Sequence, residues 1–187
     1  MPRDVLGDTG LRDAVRSDAR RAGDVIRYSS WPHIKQQTTG VHTWQVMRIL
    51  ASIWPDVTAD AMVFALHHDS GELGSGDIPY PHKAQDPMLK AIMDGLESRS
   101  LEDQGVSPPD PGPDWRWRIK TCDLIEMLEH GMDEVIMGNR YGIPIVWAME
   151  SNLLARVEAH ADKEDQTAVQ MYMMKRWNKF RELEAMA

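Results

Sequence analysis

The sequence predicts an all-α protein, a compact single-domain bundle of six to eight helices, on three observations. Apolar residues recur three and four apart through several long segments, which is the period of a helix with one buried face. No run alternates apolar and polar residues as a half-buried strand does, and no Asn-Gly hairpin signal occurs. No stretch repeats, so a solenoid is excluded. The 187 residues, 42% of them hydrophobic, suffice for one well-filled core and are short for two, so residues 1–187 are expected to form one domain.

The elements follow in order. Residues 11–22 carry Leu11, Val15 and Ala19 among arginines and aspartates, a short amphipathic helix. Next comes Val25-Ile26-Arg27-Tyr28-Ser29-Ser30-Trp31-Pro32-His33, where Ser-Ser and Pro break the period and leave an irregular segment. An arginine beside two aromatics can grip a phosphate and stack on a base; the alternative is a surface arginine beside core aromatics. Gly40 opens a helix to about Ile53, with His42, Val46, Ile49, Leu50 and Ile53 on its inward stripe. A lone histidine there is ordinarily a hydrogen-bonded core residue. A second helix, Thr58 to His68, changes the expectation by delivering His68 and Asp69 to the same interior. Val63 to Leu66 read as buried, which would set that pair at the floor of a cavity.

After Asp77 the chain runs Ile78-Pro79-Tyr80-Pro81-His82-Lys83, a proline-stiffened strap that would present Lys83 in a defined place. Asp86-Pro87 starts a helix through Met88, Ile92 and Leu96. Residues 105–114 hold four prolines, and are expected to form a long surface loop and neither helix nor strand. Trp115 to His130 is helical, with Ile119, Asp123 and Met127 on one line; a carboxylate there needs a partner, either Lys120 one turn earlier or a metal ion. Gly142 to Glu158 and Lys163 to Glu184 complete the bundle, the latter with Val169, Tyr172, Met173, Trp177, Phe180 and Leu183 inward.

Composition narrows the function. A net charge of −8 opposes a surface that tracks nucleic-acid phosphates. No stretch approaches a membrane span, the amino terminus lacks an apolar leader, and Cys122 has no partner for a disulfide, so a soluble, cytoplasmic protein is expected. The densest chemistry lies in His67-His68-Asp69-Ser70-Gly71-Glu72, where imidazole and carboxylate stand side by side at the end of an apolar helix. That pairing suits a divalent cation, whose charge offsets the cost of a buried anion. Glu72, one turn beyond His68, is near enough to hold a water at such an ion.

His42, then His68-Asp69, then Asp123, with Glu72 and Asp77 trailing the doublet, resembles the pattern of the HD-domain phosphohydrolase superfamily, and within it the 5′-deoxynucleotidases and phage dATP triphosphohydrolases. Arg27-Tyr28 stand fifteen residues before His42, Gly76-Asp77-Ile78-Pro79-Tyr80-Pro81-His82-Lys83 matches a family run, and Lys120-Thr121-Cys122-Asp123 matches its final Lys-x-x-Asp. The resemblance covers roughly residues 25–130 and implies an HD-domain fold. It also implies one divalent ion (Co, Mn, Zn, Fe or Mg) on His42, His68, Asp69 and Asp123. Glu72 and Asp77 would be catalytic, and Arg27, Tyr28, Trp31, Lys83 and Lys120 would bind substrate. The implied reaction is hydrolysis of deoxynucleoside phosphates, with Trp31-Pro32-x-x-Lys35-Gln36-Gln37-Thr38 favouring a triphosphohydrolase of the dATP type over a 5′-deoxynucleotidase. A catalytically silent nucleotide-sensing module is the reading from another class. Relatives also suggest a homo-oligomer. One departure matters: Val41 stands where the family usually has glutamate, so His42 needs another acceptor for its second ring nitrogen.

Overall fold

The computed structural model describes residues 14, 17–78 and 86–184, side chains 179, 183 and 184 excepted. Among the described residues seven α-helices follow one another: α1 (Thr39–Ile53), α2 (Ala59–His67), α3 (Glu72–Ser75), α4 (Pro87–Asp103), α5 (Pro113–Ile136), α6 (Ile143–Glu158) and α7 (Lys163–Glu184). Short 3-10 turns cover Ala19–Asp24 and Arg140–Gly142, and among the described residues there is no strand beyond a single bridge between Ile26 and Thr38. The all-α expectation holds. The helix expected over 11–22 falls largely outside the described residues, and its later part is the 3-10 turn.

Side chains set several helix starts. Thr38 caps α1 by accepting from the Val41 N–H, Thr58 caps α2 from Ala61, and Asp86 caps α4 from Met88 and Leu89, with Pro87 directly behind it. Helix α5 starts two residues earlier than the sequence suggests. Pro113 and Asp114 lie in its first turn, where a missing N–H goes unused. It also runs on to Ile136, because Met132 still packs into the core.

That long helix is the axis of the molecule. Ile119, Cys122, Ile125 and Leu128 of α5 are buried against Val46, Ile49 and Leu50 of α1, Val146, Leu153 and Val157 of α6, and Val169, Met173 and Phe180 of α7. The burial expected for Val63 to Leu66 is only partly met. Ala65 is buried and Phe64 packs half-buried against the core, but Val63 and Leu66 are 41% and 47% exposed, since α2 turns its small-residue line, Ala61 and Ala65, most directly inward. On α4, Met88, Ile92 and Leu96 also face outward, and Met93 is the buried apolar residue.

A polar knot fixes α7 to the rest. The Asp165 carboxylate, buried at the start of α7, accepts from Trp54 Nε1 at 2.7 Å and Arg118 Nε at 3.1 Å, and meets His160 Nε2 at 3.2 Å. Burial alone would raise the Asp165 pKa, but the hydrogen bonds from Arg118, Trp54 and His160 outweigh it and hold the carboxyl below its ordinary value. A depressed folded-state pKa contributes stability that is complete above the unfolded value of about 3.9 and disappears as the pH falls through the folded value. Asp165→Asn should therefore lower Tm at pH 7, and the gap between parent and variant should close below about pH 4. Thermal melts followed by circular dichroism from pH 3 to 7 check both limbs.

Candidate metal centre and active site

His42 lies in the first turns of α1 and is fully buried, while His68 ends α2 and Asp69 begins the turn into α3. The Nδ1 of His42 meets Oε2 of Glu126. The Nδ1 of His68 meets the Ala65 carbonyl at 2.6 Å. Both Nδ1 atoms face acceptors, an arrangement that would keep the ring protons on Nδ1 and offer each Nε2 to a bound ion. These two Nε2 atoms lie 3.3 Å apart. Asp69 Oδ2 completes a triangle, 3.4 Å from His42 Nε2 and 3.5 Å from His68 Nε2. A tetrahedral ion with bonds of about 2.0–2.1 Å separates its ligand atoms by about 3.4 Å, so these three donors fit one.

Asp123 on α5 approaches the same place, its Oδ1 3.2 Å from His42 Nε2 and its Oδ2 taking a 2.5 Å hydrogen bond from Lys120 Nζ. The lysine partner that the sequence offered for Asp123 is therefore present, and the His42, His68 and Asp69 donors lie beside the same carboxylate. Around the imidazoles, Asp69, Glu72, Asp123 and Glu126 face two permanent cations, Arg27 and Lys120, an excess of two negative charges. Burial and the Arg27 charge would lower the His42 pKa, yet the hydrogen bonds to Asp123 and Glu126 raise it to about 9. The Asp123 carboxyl, which burial would raise, is held well below its ordinary value by His42 and Lys120. The pocket stabilises positive charge, which is what a divalent-ion site requires.

Arg27 is buried beside this cluster, with Nη1 2.5 Å from Asp69 Oδ2 and 4.0 Å from Glu72 Oε2. Its backbone is anchored by donation of the Arg27 N–H to the Gln37 carbonyl, closing the ribbon that Ile26 and Thr38 bridge. Glu72 is buried and accepts from Thr39 Oγ1 at 3.3 Å. Its turn is fixed by close packing: a Cβ on Gly71 would lie 2.8 Å from Glu97 Cβ and 2.9 Å from Glu97 O on α4, so only glycine fits between Asp69 and Glu72 there.

Tyr28 has φ 57°, a left-handed conformation unusual for an aromatic residue. Two contacts hold it: its N–H donates to Asp77 Oδ2 at 2.7 Å, and its ring stacks on His130 with centroids 5.2 Å apart. The Arg27 Nε and the Tyr28 hydroxyl are buried with no hydrogen-bond partner among the described residues, so both have capacity to receive a polar ligand. Trp31 is 40% exposed at the end of the turn from Tyr28. Lys83 lies outside the described residues, and with it Pro79 to His82.

Three sets of residues escaped the sequence reading. Glu126 supplies the acceptor that His42 lacks in its own chain neighbours. His130 supplies the stacking partner of Tyr28. Glu134 takes the Ile34 and Lys35 N–H groups at 2.7 Å each, and with Asn139, which donates to the Pro32 carbonyl at 2.8 Å, it clamps the segment after Tyr28 onto the end of α5. Asp123, Glu126, His130 and Glu134 follow one another at steps of three and four along α5, and all are buried. That helical spacing was the available signal.

No family model matches the chain. The solved Cyanophage S-2L HD phosphohydrolase DatZ, bound to dA and one catalytic Zn2+ ion, superposes with a TM-score of 0.69 over 86% of this chain and 95% of that one, at 21% identity. The chain has the HD-phosphohydrolase fold. By sequence, a dATP triphosphohydrolase of Cyanophage S-2L is 31% identical over 113 residues, 57% of this chain. The match spans 63% of that phage protein's length.

Proposed function

We propose that this chain is a divalent-metal-dependent phosphohydrolase acting on deoxynucleoside triphosphates of the dATP type, giving deoxynucleoside and triphosphate. The observation that carries this reading is the triangle of His42, His68 and Asp69 donor atoms, with Glu72, Asp123 and Arg27 buried against it. The named activity of the phage relative and the dA bound to the phage structure support the choice of substrate.

His42, His68, Asp69 and Asp123 would hold one ion (Zn, Co, Mn, Fe or Mg). Such an ion lowers the pKa of a coordinated water and polarises a phosphoryl oxygen. Glu72 takes a proton from the water that attacks the α-phosphorus, its carboxylate kept in place by Thr39. Asp77 contacts the ester oxygen or relays to the 5′-oxygen the proton that Glu72 took from the water, as the bond to phosphorus breaks. Arg27 sets a permanent charge against the phosphate oxygens, joined by Lys120 and Lys83. Tyr28 and Trp31 border the nucleoside, Tyr28 braced from behind by His130.

The chain acts as one domain, with the segment around 105–112 as a surface loop, in the cytoplasm. Among the described residues no helix is long and apolar enough to cross a membrane. The acidic balance disfavours nucleic acid as a partner. Trp147, Leu154, Met171 and Met174, exposed on α6 and α7, suit contact with a second copy.

The test is product analysis by anion-exchange chromatography after incubation with dATP or dAMP and Zn2+, Co2+, Mn2+, Fe2+ or Mg2+. Deoxyadenosine and tripolyphosphate from dATP support the proposal. Phosphate from dAMP alone makes the protein a 5′-deoxynucleotidase. Intact metal binding without turnover of either makes it a sensing module.

A further inference from the structure

Behind the metal-type donors lies a second row of buried polar groups. Gln37, Glu126 and His42 are 3%, 2% and 0% exposed. The Gln37 Nε2 donates at 2.6 Å to Glu126 Oε1 and at 3.1 Å to Gln45 Oε1. The other oxygen of Glu126 takes the His42 Nδ1–H. Gln37 also accepts the Arg27 N–H on its backbone carbonyl, at 2.9 Å. One residue thus ties the buried arginine to the carboxylate that orients the buried histidine. The Gln37 amide can face Glu126 only with its NH2, since its carbonyl would oppose a carboxylate. Consistently, the Gln37 Oε1 is buried with no donor among the described residues. A buried polar group without a partner is costly, so the arrangement persists because the ring it steers gains from it.

We propose that Glu126 and Gln37 are positioning residues of the metal centre: Glu126 fixes the tautomer and ring plane of His42, and Gln37 locks Glu126 while coupling it to Arg27. Neither touches the reacting atoms. Both line the side away from the donor triangle, on a cavity of about 500 Å3 that also borders Gln45, Arg48 and His130. Val41 and Thr43, the chain neighbours of His42, carry no carboxylate, so the function of orienting this ring falls on a residue 84 positions away. The proposal rests on the reading that this centre holds a divalent ion, and on nothing about the substrate.

The experiment measures Co2+ binding, by titration calorimetry and by the visible absorption of the bound ion, for the parent, Glu126→Ala, Glu126→Gln and Gln37→Leu. Glu126→Ala should bind Co2+ about 10–100-fold more weakly, with an altered spectrum. Glu126→Gln should recover most of the affinity, because its amide oxygen still accepts from His42 and the Gln37 amide can turn over to accept from its NH2. Gln37→Leu, which leaves Glu126 in place and keeps the backbone carbonyl that holds Arg27, should weaken Co2+ several-fold and shift the spectrum in the same sense as Glu126→Ala. Parent affinity and spectrum in Glu126→Ala overturn the proposal. Where that variant fails to fold, parent-like binding by Gln37→Leu overturns it instead. A parent that binds Co2+ but turns over no deoxynucleotide defeats the hydrolase reading and leaves this one standing.

Discussion

Glu72→Gln is expected to lower kcat on dATP by about 10²–10⁴-fold while metal affinity stays at the parent level. The substitution keeps the side chain's shape and its capacity to accept from Thr39 Oγ1, but removes the basicity needed to take a proton from water, and general-base catalysis is worth about that range. Because Glu72 is buried, truncation to alanine would add a packing defect, which makes the isosteric amide the cleaner test. Steady-state kinetics with Co2+ or Mn2+, set beside calorimetric metal binding, separates the two effects. A Glu72→Gln enzyme at parental rate would remove the proposed base and favour the sensing module.

The second large effect is on the ion itself. In Asp123→Asn, a carboxylate that has His42 at 3.2 Å and Lys120 at 2.5 Å loses its charge, and the centre loses half of its negative excess. Metal affinity should fall at least 10²-fold and dATP hydrolysis to background. The same loss has a signature without turnover. An ion that binds only the folded parent stabilises it by about 2.7 kcal/mol at a hundredfold excess over Kd. Melting with and without Zn2+ should show that rise in the parent and its absence in Asp123→Asn at the same concentration. EDTA should return the parent to the metal-free Tm. A variant that melts and hydrolyses like the parent would place Asp123 with Lys120 as a structural ion pair and dismiss it as a ligand.

Much of this was legible in the chain. The 3.6-residue period placed both ends of α1, α2, α6 and α7, and the start of α4, within a residue or so, and capping chemistry explains why: Thr38, Thr58 and Asp86 act within a turn of their own positions; α4 runs on past Leu96 to Asp103. The inward stripe of His42, Val46, Ile49 and Leu50 was also local information. Less legible was which apolar residue finds cover. Val63, Leu66, Met88, Ile92 and Leu96 have the right types and spacing for a core, yet among the described residues they stay 37% to 75% exposed.

The candidate site divides the same way. Which side chains are candidates for the proposed chemistry is written in the sequence, because imidazole beside carboxylate, Glu72 one turn on and a buried-stripe Asp123 are unusual in combination wherever they fold. How they meet is not written there. His42, His68 and Asp123 converge because α1, α2 and α5 pack around a shared core, and burial of Val46, Leu50, Ala65 and Ile125, from distant parts of the chain, drives that packing. The orientation of His42 by Glu126, the bracing of Tyr28 by His130 and the clamp of Glu134 on residues 34 and 35 are contacts across some 84 to 102 positions. A residue type carries its reactivity with it, but a partner that far along the chain is chosen only when the helices close on one another.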